Sequence, residues 1–172
     1  VGSMSEKVAK KLGEAQELIE AEQIQEGIEI LNEILSSKRL SDYERAQVYY
    51  FLAYTAYLQE DYKKAINFYK RVLSEEAVPE GLLSAARFTI AQLWFQLEDW
   101  DKAISAVDDL LATEESPRPD LYILKGSALY QLKKYKELIP VIQSAIELAE
   151  ARNAFRIEQL QKNIKNAADE NG

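Results

Sequence analysis

The chain has 172 residues, 47% of them hydrophobic, and a formal net charge of −8. That length and composition suit one domain with a sizeable core, and the acidic balance disfavours nucleic acid or an anionic membrane surface as a partner. Cysteine and histidine are both absent, which removes disulfides, thiolate metal sites, the commonest general base and the commonest transition-metal ligand.

In chain order, Val1-Gly2-Ser3 reads as a cloning remnant followed by a start or fusion methionine, Met4, so residues 1–4 are set aside. A first helical pattern with a small apolar face (Lys11, Ala15, Leu18) leads into a stronger one: Ile24, Gly27, Ile28, Leu31, Ile34, Leu35. The same pairing returns three times. Tyr49, Leu52, Ala53 and Ala56 precede Tyr62, Ala65, Ile66, Tyr69, Val72 and Leu73; Ile90, Ala91 and Trp94 precede Trp100, Ala103, Ile104, Val107, Leu110 and Leu111. Tyr122, Gly126 and Leu129 precede Tyr135, Leu138, Ile139, Ile142, Ala145 and Ile146. The second set of each pair has offsets 0, 3, 4, 7, 10 and 11, the stripe along one face of an α-helix.

The turns inside each pair are very short, as in Gln59-Glu60-Asp61, Leu97-Glu98-Asp99 and Leu132-Lys133-Lys134, which forces antiparallel neighbours. Between pairs stand caps and breakers: Ser41 with Glu44 as a capping box, Pro79 near a helix start, and Pro117 and Pro119 before Asp120, a plausible cap. Pro140 falls inside the fourth stripe, where it should kink the helix or push its start later. Ala154 to Ala168 makes a last helix with Ile157, Leu160, Ile164 and Ala168 on its apolar side. One wet and one dry face suit a cap on the end of a stack; the rival reading is the first helix of a further pair.

Ile24, Tyr62, Trp100 and Tyr135 lie 38, 38 and 35 positions apart. A period of that size marks stacked supersecondary units, none able to bury its apolar face alone. Gly27, Ala65 and Ala103 share one slot of the stripe, and Ala15, Ala53, Ala91 and Gly126 share a slot in the preceding helices. Small residues at matched positions let paired helices approach closely.

On Leu52-Ala53, Tyr57, Asp61-Tyr62-Lys63-Lys64-Ala65-Ile66 and Tyr69, and on Ile90-Ala91 with Glu98-Asp99-Trp100-Asp101-Lys102-Ala103-Ile104, the chain resembles the tetratricopeptide repeat family. The last unit departs from the pattern at Lys125 and Leu138, and the first at Lys11 and Glu14. The resemblance implies an all-α, right-handed superhelical α-solenoid of about four helix–turn–helix units, about 5–40, 41–78, 79–116 and 117–152, with a capping helix at 153–169, in a single domain over 5–172. A narrower likeness rests on the segments 5–12, 40–47, 78–82 and 89–93. They resemble tetratricopeptide proteins encoded beside the TonB–ExbB–ExbD system of Gram-negative bacteria, which implies an envelope-associated scaffold facing the periplasm.

In such repeats the first helix of each pair lines the concave face. The residues out of phase with packing there are Tyr50, Tyr54 and Tyr57, then Phe88, Gln92 and Phe95, then Ile123, Ser127, Tyr130 and Gln131, with Leu12, Gln16 and Ile19 in the first unit. Aromatic side chains in a groove supply large contact area at low entropy cost, the chemistry of a protein-binding hot spot; the plainer account has some of these rings packing onto the next repeat. A basic clamp for a C-terminal carboxylate would need lysine, arginine and asparagine in these slots, so an apolar or tyrosine-complementary segment with basic residues fits better.

Glu75-Glu76, Asp108-Asp109 and Glu114-Glu115 read as solvated surface charge at helix ends and loops, not paired catalytic carboxylates. A serine nucleophile would lack its histidine, and the six glycines are isolated. No apolar run approaches the roughly 18 residues of a membrane span. The expectation is a protein-binding scaffold without catalytic residues, cofactor, metal or direct membrane insertion. Its alternatives are a cytosolic adaptor or secretion chaperone and, from another class, a carboxylate-only enzyme or regulatory domain.

Overall fold

The computed structural model describes residues 2–171; Val1, the first residue of the expected cloning remnant, and Gly172, the last of the expected domain, lie outside them. Among the described residues the chain forms eight α-helices: α1 (Glu6–Glu20), α2 (Ile24–Leu35), α3 (Asp42–Leu58), α4 (Tyr62–Leu73), α5 (Glu80–Gln96), α6 (Trp100–Thr113), α7 (Pro119–Gln131) and α8 (Tyr135–Asn171). The even-numbered helices begin at Ile24, Tyr62, Trp100 and Tyr135, the leading residues of the four stripes. Two compact units result, Val1–Ala106 and Val107–Gly172.

Each turn within a pair has the same construction. Glu22, Glu60, Glu98 and Lys133 adopt φ of 62°, 60°, 59° and 58°. The amide after each of them donates back to the carbonyl of Leu18, Ala56, Trp94 or Leu129, and its own amide donates to Ile19, Tyr57, Phe95 or Tyr130. This is the Schellman closure, which satisfies carbonyls left over at a helix end. Its left-handed position usually holds glycine, and here four side-chain-bearing residues occupy it.

The starts of α1 and α3 are capped by the Ser5 and Ser41 side chains, whereas α5 and α7 begin at Pro79 and Arg118 without a side-chain cap. Ser41 and Glu44 form the expected reciprocal box at 3.1 and 3.0 Å, and Glu44 also accepts the Ser5 amide at 2.8 Å. These amides hold the buried Glu44 carboxyl below the usual carboxylate range. Arg45 joins Asp42 to Glu75 at 2.8 and 3.0 Å, and Asp42 accepts the Ala77 amide. The start of α3 is thereby tied to the loop after α4. Asp61 and Asp99 cap α4 and α6 through the Lys64 and Lys102 amides. Asp120 is not a cap. Pro119 takes the first helical position, so the cap falls one residue earlier, at Arg118.

In the first unit α3 belongs to two cores. Val48 and Leu52 join Leu12, Ala15, Ile19, Leu31 and Ile34 of the first pair, while Ala53 and Ala56 join Ala65, Ile66, Tyr69 and Val72 of α4 and Ile90 and Leu93 of α5. Hairpins packed in series this way bury each apolar face against the next one. Leu12 and Ile19, expected on the groove side of the first unit, belong to this core. The small slots lie where helices cross: a Cβ on Gly27 would stand 2.7 Å from Ile19 Cγ1 and 3.1 Å from the Ala15 carbonyl oxygen. Ala53, Ala65, Ala91 and Ala103 are buried.

The second unit buries Val107 and Leu110 of α6, Leu121, Ala128 and Leu129 of α7, and Ala145 of α8. Lys125 pairs with Asp108 at 2.6 Å. Pro140 does not displace the helix start, since the Leu138 amide already donates to Lys134. The missing proline N–H leaves the Lys136 carbonyl without its helical donor. One expectation needs correction here: residues 153–169 are not a separate helix. They continue α8, a single helix of 37 residues. Between Ile146 and Leu160 there is neither glycine nor proline, so nothing in the chain ends the helix there.

Candidate binding groove in the first unit

Successive turns of α3 place Tyr50, Tyr54 and Tyr57 on one face, at spacings of four and three. Thr89, Gln92 and Gln96 do the same on α5. Between them opens a cleft of about 290 Å³ lined by Tyr54, Tyr57, Tyr69, Thr89, Gln92, Leu93 and Gln96. Tyr54 and Tyr57 are 42% and 47% exposed, whereas Tyr69 of α4 is 4% exposed and forms the floor. Burial pushes the Tyr69 phenol well above its usual range, helped by the neighbouring Tyr50, Tyr54 and Tyr57. It therefore stays neutral and able to donate a hydrogen bond.

The ten predicted residues divide into three groups. Tyr54, Tyr57 and Gln92 meet at the cleft. Tyr50, Phe88 and Phe95 are half-buried; the Tyr50 ring stands edge-on to Tyr69, centroids 5.3 Å apart. In the second unit, α7 carries Ile123 and Tyr130, 50% and 59% exposed, with Gln131 exposed and Ser127 half-buried.

A packing role for some of these rings is visible at the hairpin turns. Tyr57 meets Tyr62, Phe95 meets Trp100 and Tyr130 meets Tyr135, with centroids 5.8, 4.9 and 5.8 Å apart. Each pair clasps the end of one helix to the start of the next. Tyr57 thus serves both clasp and cleft, and Tyr54 is the ring with the plainest claim to a ligand. Sequence reasoning missed Tyr69, Thr89, Leu93 and Gln96. Thr89 and Gln96 stand three before and four after Gln92, a signal that helical spacing offers. Tyr69 lies on the packing stripe, and it lines the cleft only because of how α4 sits beside α3 and α5.

The chemistry of the cleft is aromatic and amide, suited to van der Waals contact and neutral hydrogen bonds. Among the described residues, no group of three or more Asp, Glu, His or Cys is placed to hold a metal, and no helix is long and apolar enough to cross a membrane. The family model described as anaphase-promoting complex, cyclosome, subunit 3 matches residues 21–110, and a tetratricopeptide repeat model matches residues 88–154. The chain belongs to the tetratricopeptide repeat proteins. Solved structures of MamA share the fold. One matches with a TM-score of 0.69 at 18% identity, covering 86% of this chain and 81% of that one. MamA residues 41-end from Desulfovibrio magneticus RS-1 match with a TM-score of 0.66 at 16% identity, over 85% and 77% of the two chains. No curated protein sequence matches the chain. Tetratricopeptide repeat proteins are in general non-enzymatic scaffolds that bind protein partners, and this chain has that architecture.

Proposed function

We infer that the first unit holds an extended or helical segment of another protein against the tyrosine-lined cleft between α3 and α5. The observation that carries this reading is the exposure of Tyr54 and Tyr57 over a cleft, beside Gln92 and Gln96. Packing alone would tolerate a polar side chain at position 54, and an exposed ring beside a cleft supplies contact area for a partner. The acidic chain favours a segment that alternates apolar and basic residues.

A photo-crosslinking residue at position 54 or 92, introduced in cells that make the protein, should capture one recurrent partner peptide. The same residue at the exposed Asn67 of α4 should not. Tyr54→Ala should then weaken binding of that peptide by about 2 kcal/mol while leaving the circular dichroism unchanged. Equal capture from all three positions, or undiminished affinity in the folded variant, would move the site elsewhere.

Placement beside a TonB-type complex in the periplasm is the finer form of this reading, supported by the short segments at 5–12, 40–47, 78–82 and 89–93. A signal sequence on the natural open reading frame, next to energy-transduction genes, is the outcome it requires. A cytosolic start in another setting would favour the adaptor or secretion-chaperone reading.

A further inference from the structure

Positions equivalent along the repeats have different surroundings in α4 and α8. Ile28 and Leu35 of α2 pack against the core that includes Val48 and Leu52 of α3, and Ile66 and Leu73 of α4 belong with the core that includes Ile90 and Leu93 of α5. The first helix of the following pair covers these slots. In α8 the same slots hold Ile139 and Ile146, which are 58% and 52% exposed, and Tyr135 at the head of the stripe is 49% exposed. Among the described residues no helix covers them. Further along α8, Ile157, Leu160 and Ile164 are also bare, at 48%, 53% and 71%.

These two bare segments lie on one face. Ile157 follows Ile139, and Ile164 follows Ile146, by 18 residues, which is five helical turns. Because α8 is unbroken, the distal segment cannot fold back onto the proximal one within the same chain. It can do so on a second copy.

We propose that two copies of the chain pair through α8 in antiparallel fashion, each distal segment taking the place of the next repeat's first helix on the other copy. The spacing specifies one register. With Ile139 opposite the partner's Ile164, Ile146 falls opposite the partner's Ile157, because both pairs are separated by seven residues. The dyad then lies between residues 151 and 152, and Glu150 stands opposite the partner's Asn153 as an acceptor–donor pair. The charges agree with this direction. Residues 135–151 carry Lys136 against Glu137, Glu147 and Glu150, and residues 152–168, which face them across the dyad, carry Arg152, Arg156, Lys162 and Lys165 against Glu158. Antiparallel pairing sets a net −2 segment against a net +3 segment twice, whereas parallel pairing would set like against like. The interface is isologous, the closed symmetry of ordinary dimers, and is built by exchange of a repeat element.

Sedimentation velocity on the full chain, from about 1 to 200 µM, should show reversible dimerisation. Ile139→Asp and Ile164→Asp should each raise the dimer Kd by about 100-fold without changing the circular dichroism, since both side chains are exposed. The direction is read separately in the cysteine-free chain. Gln143→Cys and Leu160→Cys, mixed under oxidation, should form a 143–160 disulfide dimer that neither variant forms alone. Monomer throughout the range would overturn the proposal and leave the face to a different protein. Homodisulfides from Leu160→Cys alone, or aspartate variants that dimerise like the parent, would overturn it as well.

Discussion

The hairpin of α3 and α4 and the hairpin of α7 and α8 share one pattern and differ in what surrounds it. In the earlier hairpin Ile66 is 1% exposed, and its equivalent in the later one, Ile139, is 58% exposed. At the helix crossings the two hairpins also solve one problem differently. Ala53 and Ala65, both fully buried, share the closeness evenly. In the last hairpin Gly126 gives up its side chain and Leu138 and Ile142 fill the space, so that a Cβ on Gly126 would collide with Ile142 Cδ1. The contrast teaches that a repeat's second helix carries a face made for its successor, and that the value of that face depends on the successor being present.

The largest expected effect tests that dependence directly. Ile66→Ala should cost about 2–5 kcal/mol in equilibrium denaturation, as for other fully buried aliphatic truncations. Ile139→Ala, measured at concentrations where the chain is monomeric, should stay within about 0.5 kcal/mol of the parent. Similar costs at both positions would mean that the Ile139 face is covered in solution.

Next come the aromatic clasps, present in both hairpins and in α5–α6. Phe95→Ala removes a half-buried ring set edge-on to Trp100 and should cost about 2 kcal/mol. Tyr130→Ala, whose ring is 59% exposed, should cost less than half as much. Thermal unfolding that ranks them the other way would assign the clasp no structural part at Phe95.

Smaller again is the difference between two glycines. A methyl on Gly27 meets the Ala15 carbonyl at 3.1 Å as well as Ile19, and backbone cannot step aside. On Gly126 the methyl meets side-chain atoms of Ile142 and Leu138 alone, which can rotate. Gly27→Ala should destabilise by about 1 kcal/mol, while Gly126→Ala should be close to neutral after the gain in helix propensity. Urea midpoints for the two variants would show whether rigidity of the neighbour decides the sign.

The smallest effect concerns what the hairpins have in common. Glu60→Gly and Lys133→Gly relieve the same left-handed strain in both regions and should each stabilise by up to about 1 kcal/mol. A gain confined to one hairpin would show that the turns, and not the faces alone, differ between the two regions.

Periodicity within single helices was enough to locate the four even-numbered helix starts, the small crossing slots and the Ser41–Glu44 box, because each depends on residues a few positions apart. The rings at Tyr54 and Tyr57 were legible as a groove surface for the same reason. Tyr69 was not, since a residue on the packing stripe gives no local sign that it also lines a cleft. The left-handed glutamates were hidden too: their identities are those of any polar turn, and only closure of the helix end imposes the conformation. The end of α8 escaped most fully. An amphipathic segment has the same sequence whether it folds back as a cap or runs on as helix. Local propensity permits both, and the choice rests on whether a break in the backbone lets the apolar face reach a partner in the same chain.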